Sequence, residues 1–197
     1  MKKITLLISI TAILLAGFNT YAQSEKSTQK LSKRELRKIE KQKKKEAKIL
    51  AEKQEFEKVK QLVQDTTFVF VADKLYGDRG RMFNVNPTLN FLAVNKKEAT
   101  YQFAFQGIIG WNGVGGVTFN GDIVKYEVKL GKNINKASYV EMVFRPKGVG
   151  GLPYINITFF GSRATVDLTL DNGNRIRLDG EIKSLQEAEI FKGQSIF

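Results

Sequence analysis

Neither cysteine nor histidine occurs anywhere in the 197 residues of this chain. Ser-His-Asp and Cys-His nucleophile pairs, Cys/His zinc sites, Cys-x-x-Cys-His haem attachment and disulfides are therefore all excluded. So is the lipid anchor of a bacterial lipoprotein, which needs a cysteine thiol just after the leader. The chemistry left is that of carboxylates, Lys, Tyr and Ser/Thr, with an oxygen-ligated cation as the remaining metal option. No arrangement of those groups forms a recognisable catalytic set. The sequence thus predicts a non-enzymatic protein with no catalytic residue, no cofactor and no metal site.

Long apolar runs are scarce too. The longest, residues 4–17, follows Lys2 and Lys3 and precedes Thr20-Tyr21-Ala22. It is shorter than the ~20 residues a spanning helix needs, and the order of charged, apolar and small segments is that of a cleaved signal peptide. Residues 1–22 are predicted to be removed. The mature chain then starts at Gln23 and is periplasmic or secreted, not a lipoprotein and not an integral membrane protein. Residues 190–197 also lack the alternation over about ten positions that outer-membrane barrel strands carry, despite the terminal Phe197.

Negative charge is the minority: 32 Lys/Arg stand against 20 Asp/Glu, a net of +12. Residues 23–65 hold fourteen basic and eight acidic side chains, and residues 66–197 hold sixteen and twelve. The excess is concentrated near the N-terminus, and a basic segment in an exported protein meets phospholipid, lipopolysaccharide phosphate or acidic glycan. An anionic envelope surface or an envelope protein is the expected partner, and nucleic acid is not. Lys41, Lys43, Lys44, Lys45 and Lys48 are the candidate surface contacts, with a solvated helical stalk as the plainer reading.

Residues 23–30 are polar and aperiodic. Ser32-Lys33-Arg34-Glu35 then forms a capping box flanked by Leu31 and Leu36, and neither Gly nor Pro occurs before about Gln64. This predicts one long charged helix. Its apolar face is poor at first, and improves where Ile49, Phe56, Val59 and Val63 recur at helical spacing. After Asp65 the period changes from 3.6 to 2. Alternating runs at 67–75, 99–105, 124–130, 140–144, 155–159, 164–170 and 176–182 are separated by turn residues such as Asn95-Lys96-Lys97, Asn120-Gly121-Asp122 and Gly161-Ser162. Short strands with one wet face and no helix between them predict an antiparallel β-sandwich or small β-barrel.

Residues opposite each other in a hairpin share a face, so the last hairpin needs an odd loop. A three-residue loop at 172–174 sets Leu168 against Leu178, with Asn174 in the left-handed position. That register also sets Asp167 against Asp179 on the outer face, where Arg177 is near enough to neutralise them.

Two glycine-dense segments share the string Gly-Val-Gly-Gly, at 113–116 and 148–151. Neither has the spacing or the strand-helix setting of a nucleotide phosphate loop. They read as wide connections at the rim of a β-domain, or as a place where a ligand or partner approaches the backbone. Trp111, Gly113, Gly115, Gly116, Gly148, Gly150 and Gly151 are the candidate contacts on that second reading. The 14 phenylalanines, with Tyr101, Tyr126, Tyr139 and Tyr154, either fill a core or line a cavity.

Several strings are similar to the Bacteroidetes domain of unknown function 4251. They are Phe68-Val69-Phe70-Val71-Ala72-Asp73, Gly115-Gly116-Val117-Thr118-Phe119-Asn120-Gly121, Val124-Lys125-Tyr126-Glu127-Val128, and the closing Gly161-Ser162-Arg163-Ala164-Thr165-Val166 with Leu178-Asp179-Gly180-Glu181-Ile182. The resemblance implies a small exported protein with a charged helix and a β-domain, and it carries over no activity and no site residue. The expected organisation is a signal peptide at 1–22, a leader and basic helix at 23–65, and an all-β domain at 66–197. The expected role is a non-enzymatic binding or interaction module of the cell envelope. The alternative is a carrier of a small apolar ligand or lipid inside the β-domain. A cavity lined by Phe and Tyr favours the carrier, and a filled core favours the interaction module.

Overall fold

A computed structural model describes residues 32–77, 80–104, 115–148 and 150–194. The predicted signal peptide, the polar leader, Trp111, Gly113 and Phe197 lie outside the described residues. The chain divides into two compact units, Met1–Lys45 and Glu46–Phe197.

Helix α1 spans Lys33–Gln64, and the expected capping box opens it. The Ser32 N–H donates to the Glu35 carboxylate at 2.8 Å, and the Glu35 N–H donates to the Ser32 hydroxyl at 3.3 Å. These bonds hold the Glu35 carboxyl below its usual value. Residues 33–45 are exposed on every side, so Lys, Glu and Arg propensity and pairs such as Glu40–Lys44 sustain the helix there. Further along, Phe56, Val59 and Val63 are fully buried. Their spacing puts them on one face, which is the face the hydrophobic effect seats on the β-domain.

Nine strands follow among the described residues: β1 (Thr67–Tyr76), β2 (Met82–Asn84), β3 (Phe91–Asn95), β4 (Glu98–Ala104), β5 (Gly116–Lys129), β6 (Ser138–Pro146), β7 (Tyr154–Phe160), β8 (Arg163–Thr169) and β9 (Arg175–Lys183). Every pairing is antiparallel, and β3 to β9 follow one another in order. β1 pairs with β3 along one edge and with β9 along the other. The sheet therefore closes as an eight-stranded up-and-down barrel, the second of the two expected architectures. β2 extends the edge beyond β3, pairing with Lys74, Leu75 and Tyr76.

Inward side chains of every barrel strand, among them Phe70, Leu92, Met142, Ile157, Val166 and Ile182, join Phe56, Val59 and Val63 in one core cluster. The helix closes one end of the barrel. Lys96 donates its backbone N–H to the Thr66 carbonyl at 2.7 Å, and the Tyr126 hydroxyl donates to the Val63 carbonyl at 2.6 Å. Outward positions on β5, β8 and β9 carry Lys125, Glu127, Asp167, Arg177, Asp179 and Glu181, none of them buried. Apolar inside and charged outside is the reverse of a membrane barrel.

Three strand features depart from the alternation pattern. β3 and the first half of β5 are strands that the sequence pattern leaves out, and Asn120-Gly121-Asp122 lies inside β5 instead of forming a turn. Gly121 pairs with Ala99 on one side and Pro146 on the other, and a Cβ there would sit 2.6 Å from the Phe144 ring. The Arg145 carbonyl oxygen would be closer still, at 2.1 Å, so the glycine leaves room for the β6 backbone and the Phe144 ring beside β5. Gln102, expected on a wet face, is fully buried. Its amide donates to the Leu89 and Phe191 carbonyls and accepts from the Thr118 hydroxyl and the Gly193 N–H, all at 2.8–2.9 Å. The C-terminal segment lies over this outer face, where Ala188 and Ile190 pack on Val69, Val71 and Phe91. Lys58 and Ser184 grip Glu187 of the same segment and hold its carboxyl down to about 2.

Candidate functional site

The turns at the helix end of the barrel join β3–β4, β5–β6 and β7–β8. At the opposite end β4 stops and β5 starts, with residues 105–114 between them outside the described residues, and a cavity of about 280 Å³ lies there beside the connections β6–β7 and β8–β9. Its walls are Tyr101 from β4, Phe119 from β5, Phe144 from β6 and Leu168 from β8, with Leu170 beyond. These are inward positions of four strands. Among the described residues no helix lies at this end, and apolar side chains that alternation turns inward line the cavity.

The rim is held by one side chain. Both oxygens of the Asp171 carboxylate accept the Leu152 N–H, at 3.0 and 3.1 Å. Gly151 lies against the same carboxylate, so closely that a Cβ would fall 1.9 Å from it. The two rim connections are thereby tied together over Gly150, which also lines the cavity.

The β8–β9 loop arrives at this position by a change of register. Its length is three residues, as parity requires, but it occupies 171–173: the Leu170 N–H donates to the Asn174 carbonyl at 2.9 Å. Gly173, at φ 82°, takes the left-handed position in place of Asn174. Glycine adopts that conformation without a Cβ penalty, and asparagine does not. The one-residue slide moves the ladder by two, so Asp167 faces Arg177 and Thr165 faces Asp179. The expected Asp167–Asp179 opposition is absent. Arg177 grips Asp167 at 2.8 and 3.2 Å, while Asp179 accepts the Tyr76 and Thr165 hydroxyls at 2.7 Å each. Both carboxylates are held separately, which leaves this outer face a structural network.

Tyr101 is the exceptional wall residue. It is 5% exposed, and among the described residues its hydroxyl is the one buried side-chain N or O atom without a hydrogen-bond partner. Its ring stands edge-on to Phe103 at 4.1 Å between centroids. Burial pushes its pKa well above the ordinary tyrosine value, so the hydroxyl stays protonated.

Of the glycines singled out from the sequence, Gly150 and Gly151 reach the cavity and its rim. Gly148 lies in the same β6–β7 connection, and Gly115 and Gly116 stand at the start of β5. Trp111 and Gly113 are outside the described residues. The wall residues Tyr101, Phe144 and Leu168 fall at inward positions of the alternation pattern, which does not mark them as cavity lining, and Phe119 lies in the half of β5 that the pattern leaves out. Of the five lysines, Lys44 pairs with Glu40 at 2.8 Å and Lys48 with Glu52 at 3.8 Å, and Lys41, Lys43 and Lys45 are exposed.

These features define a class: a small up-and-down β-barrel with a helix packed at one end and, among the described residues, a cavity at the other. The chain belongs to the family described as Domain of unknown function (DUF4251), whose model matches residues 50–182. Among solved structures it is similar to a DUF4251 family protein from Bacteroides eggerthii DSM 20697, with 25% identity, 72% of this chain and 95% of that chain covered, and a TM-score of 0.59. No curated protein matches it.

Proposed function

We propose that this protein is a non-enzymatic binder of a small apolar molecule, exported to the periplasm or beyond, which takes its ligand into the open end of the barrel. The cavity walled by Tyr101, Phe119, Phe144, Leu168 and Leu170 carries the reading. Its volume is near the lower end of the ~300–1,000 Å³ range of ligand pockets, so the ligand is small. The charged outer faces support a carrier that is itself dissolved in water. Gly150 offers a way to shut the site, because a Cβ there meets nothing within 4 Å. Fluorescence titration with 1-aminoanthracene is expected to give saturable one-to-one binding to wild type, weakened at least about tenfold in Gly150→Phe, which adds a ring at a lining position of the cavity. Absence of saturable binding, or an unchanged affinity in the variant, would remove the proposal.

A second reading concerns the helix. Lys33, Arg34, Arg37, Lys38 and Lys41 surround one hollow on its surface, and among the described residues none of them is in an ion pair. The i, i+3 and i+4 spacing gathers them on one face. That face supports attachment to an anionic envelope surface, centred nearer the helix N-terminus than the lysine cluster read from the sequence. Each basic residue near an anionic bilayer contributes about 1 kcal/mol. Wild type is expected to sediment with phosphatidylglycerol vesicles at low salt and to leave them at high salt. Replacing all five residues by Gln is expected to abolish the sedimentation. Equal, negligible sedimentation of both proteins at low salt would return the helix to the role of a solvated stalk.

A further inference from the structure

We infer that Tyr101 is the polar anchor of the barrel cavity, and that the ligand is a compact uncharged molecule with an apolar skeleton and a single hydrogen-bond acceptor such as a ketone oxygen. The inference rests on the ligand-binding reading above and adds the chemistry that the cavity selects.

Three observations carry it. A buried hydroxyl without a partner is unfavourable, and native structures leave few of them. Among the described residues the Tyr101 hydroxyl is the one buried side-chain N or O atom without a partner, and Tyr101 is a wall residue of the cavity. Among the described residues the other side chains of the wall, from Phe119, Phe144, Pro146, Leu168 and Leu170, are apolar. The remaining polar ones, Asp171 and Asn172, are exposed at the rim, where the Asn172 side-chain carbonyl accepts the Asn174 N–H; below the rim the wall offers contact area and no competing side-chain hydrogen bond. The charge balance is equally informative. Among the described residues no Lys or Arg lines the cavity, and the one charged group at its rim is the Asp171 carboxylate, already committed to the Leu152 N–H. An anionic ligand would lose its hydration without gaining a cation and would meet a like charge at the entrance. A cationic ligand would find its only counter-charge at the rim and none at the wall. A neutral acceptor matches what the wall provides: one donor in an apolar setting, where a hydrogen bond discriminates strongly between molecules that have the acceptor and those that lack it.

The test uses a matched pair of probes, 2-acetylnaphthalene and 2-ethylnaphthalene, titrated calorimetrically into wild type and Tyr101→Phe. Wild type is expected to bind the ketone roughly tenfold more tightly than the hydrocarbon, the size of one buried hydrogen bond. Tyr101→Phe is expected to erase that difference by weakening the ketone alone. Thermal melting of the unliganded proteins supplies an independent readout. If the hydroxyl has no partner in the free protein, the phenylalanine variant melts at or above the wild-type temperature. Equal loss of both probes in the variant, an unchanged preference for the ketone, or a clearly lower melting temperature would each overturn the anchoring role. Failure of wild type to bind either probe would instead defeat the ligand-binding reading on which this inference stands.

Discussion

A chain that starts at Glu46 is expected to unfold in urea at the same midpoint as the full-length protein, and a chain that starts at Thr66 is expected not to fold. Residues 33–45 bury nothing, so their removal takes no apolar surface out of a core. Phe56, Val59 and Val63 are at most 2% exposed and belong to the same cluster as the inward barrel residues. Full burial of such side chains contributes ~1.5–3 kcal/mol each, so the three together supply about 5–9 kcal/mol, comparable with the whole ~5–15 kcal/mol of a typical domain. Their loss would also leave the Tyr126 hydroxyl without the Val63 carbonyl it now bonds. The family match begins at residue 50, before all three. The alternation pattern draws a boundary at residue 66, and this pair of truncations decides whether the last turns of the helix belong to the folding unit. A cooperative transition with an unchanged midpoint in the shorter chain would show that the barrel stands without them.

Phe144→Ala is expected to lower stability by about 3–5 kcal/mol, the range for truncating a buried phenylalanine. For a domain of this size that corresponds to a fall in Tm of roughly 6–20 °C. Phe144 is 2% exposed, so it belongs to the core, and it is also a wall of the cavity. Its truncation enlarges a space that is already open, and a ligand that fills the space restores contacts. Saturating 1-aminoanthracene is therefore expected to raise the Tm of Phe144→Ala more than that of wild type. Phe70→Ala provides the control, because Phe70 is fully buried but does not line the cavity. Its loss is expected to be of similar size, with no greater response to the probe than wild type. Equal responses in the two variants would show that the probe does not occupy the barrel mouth.

Much of this fold is legible in the residue order because it rests on local rules. Ser32 and Glu35 meet because three residues of helix bring their backbone and side-chain groups within reach, whatever follows. Val140, Met142 and Phe144 turn inward because strand geometry alternates faces and water excludes the apolar one. The odd length of the β8–β9 loop follows from the same alternation, and its glycine then slid it by one residue. The segments that escaped the pattern are those whose second face is covered from far along the chain. β3 looks unlike a half-wet strand, and Gln102 looks like a wet-face residue although it is buried, because the C-terminal segment lies on them, a contact across 89 positions in the case of Gln102 and Phe191. Gly121 looks like a turn because its need for space comes from the Arg145 carbonyl and the Phe144 ring of a neighbouring strand.

The sequence by itself thus determined the composition limits, the capped helix, most of the strands and which of their side chains face inward. Each of these depends on groups close together in the chain and on solvent. Only the tertiary structure decided that the sheet closes through β1 and β9, that the helix packs at one end while a cavity lies at the other, and that the Tyr101 hydroxyl is buried with no partner among the described residues. Those outcomes depend on how far apart the inward faces of distant strands come to rest. That distance is set by the barrel's closure and by the volume of the side chains that must share its interior, and no local period records it.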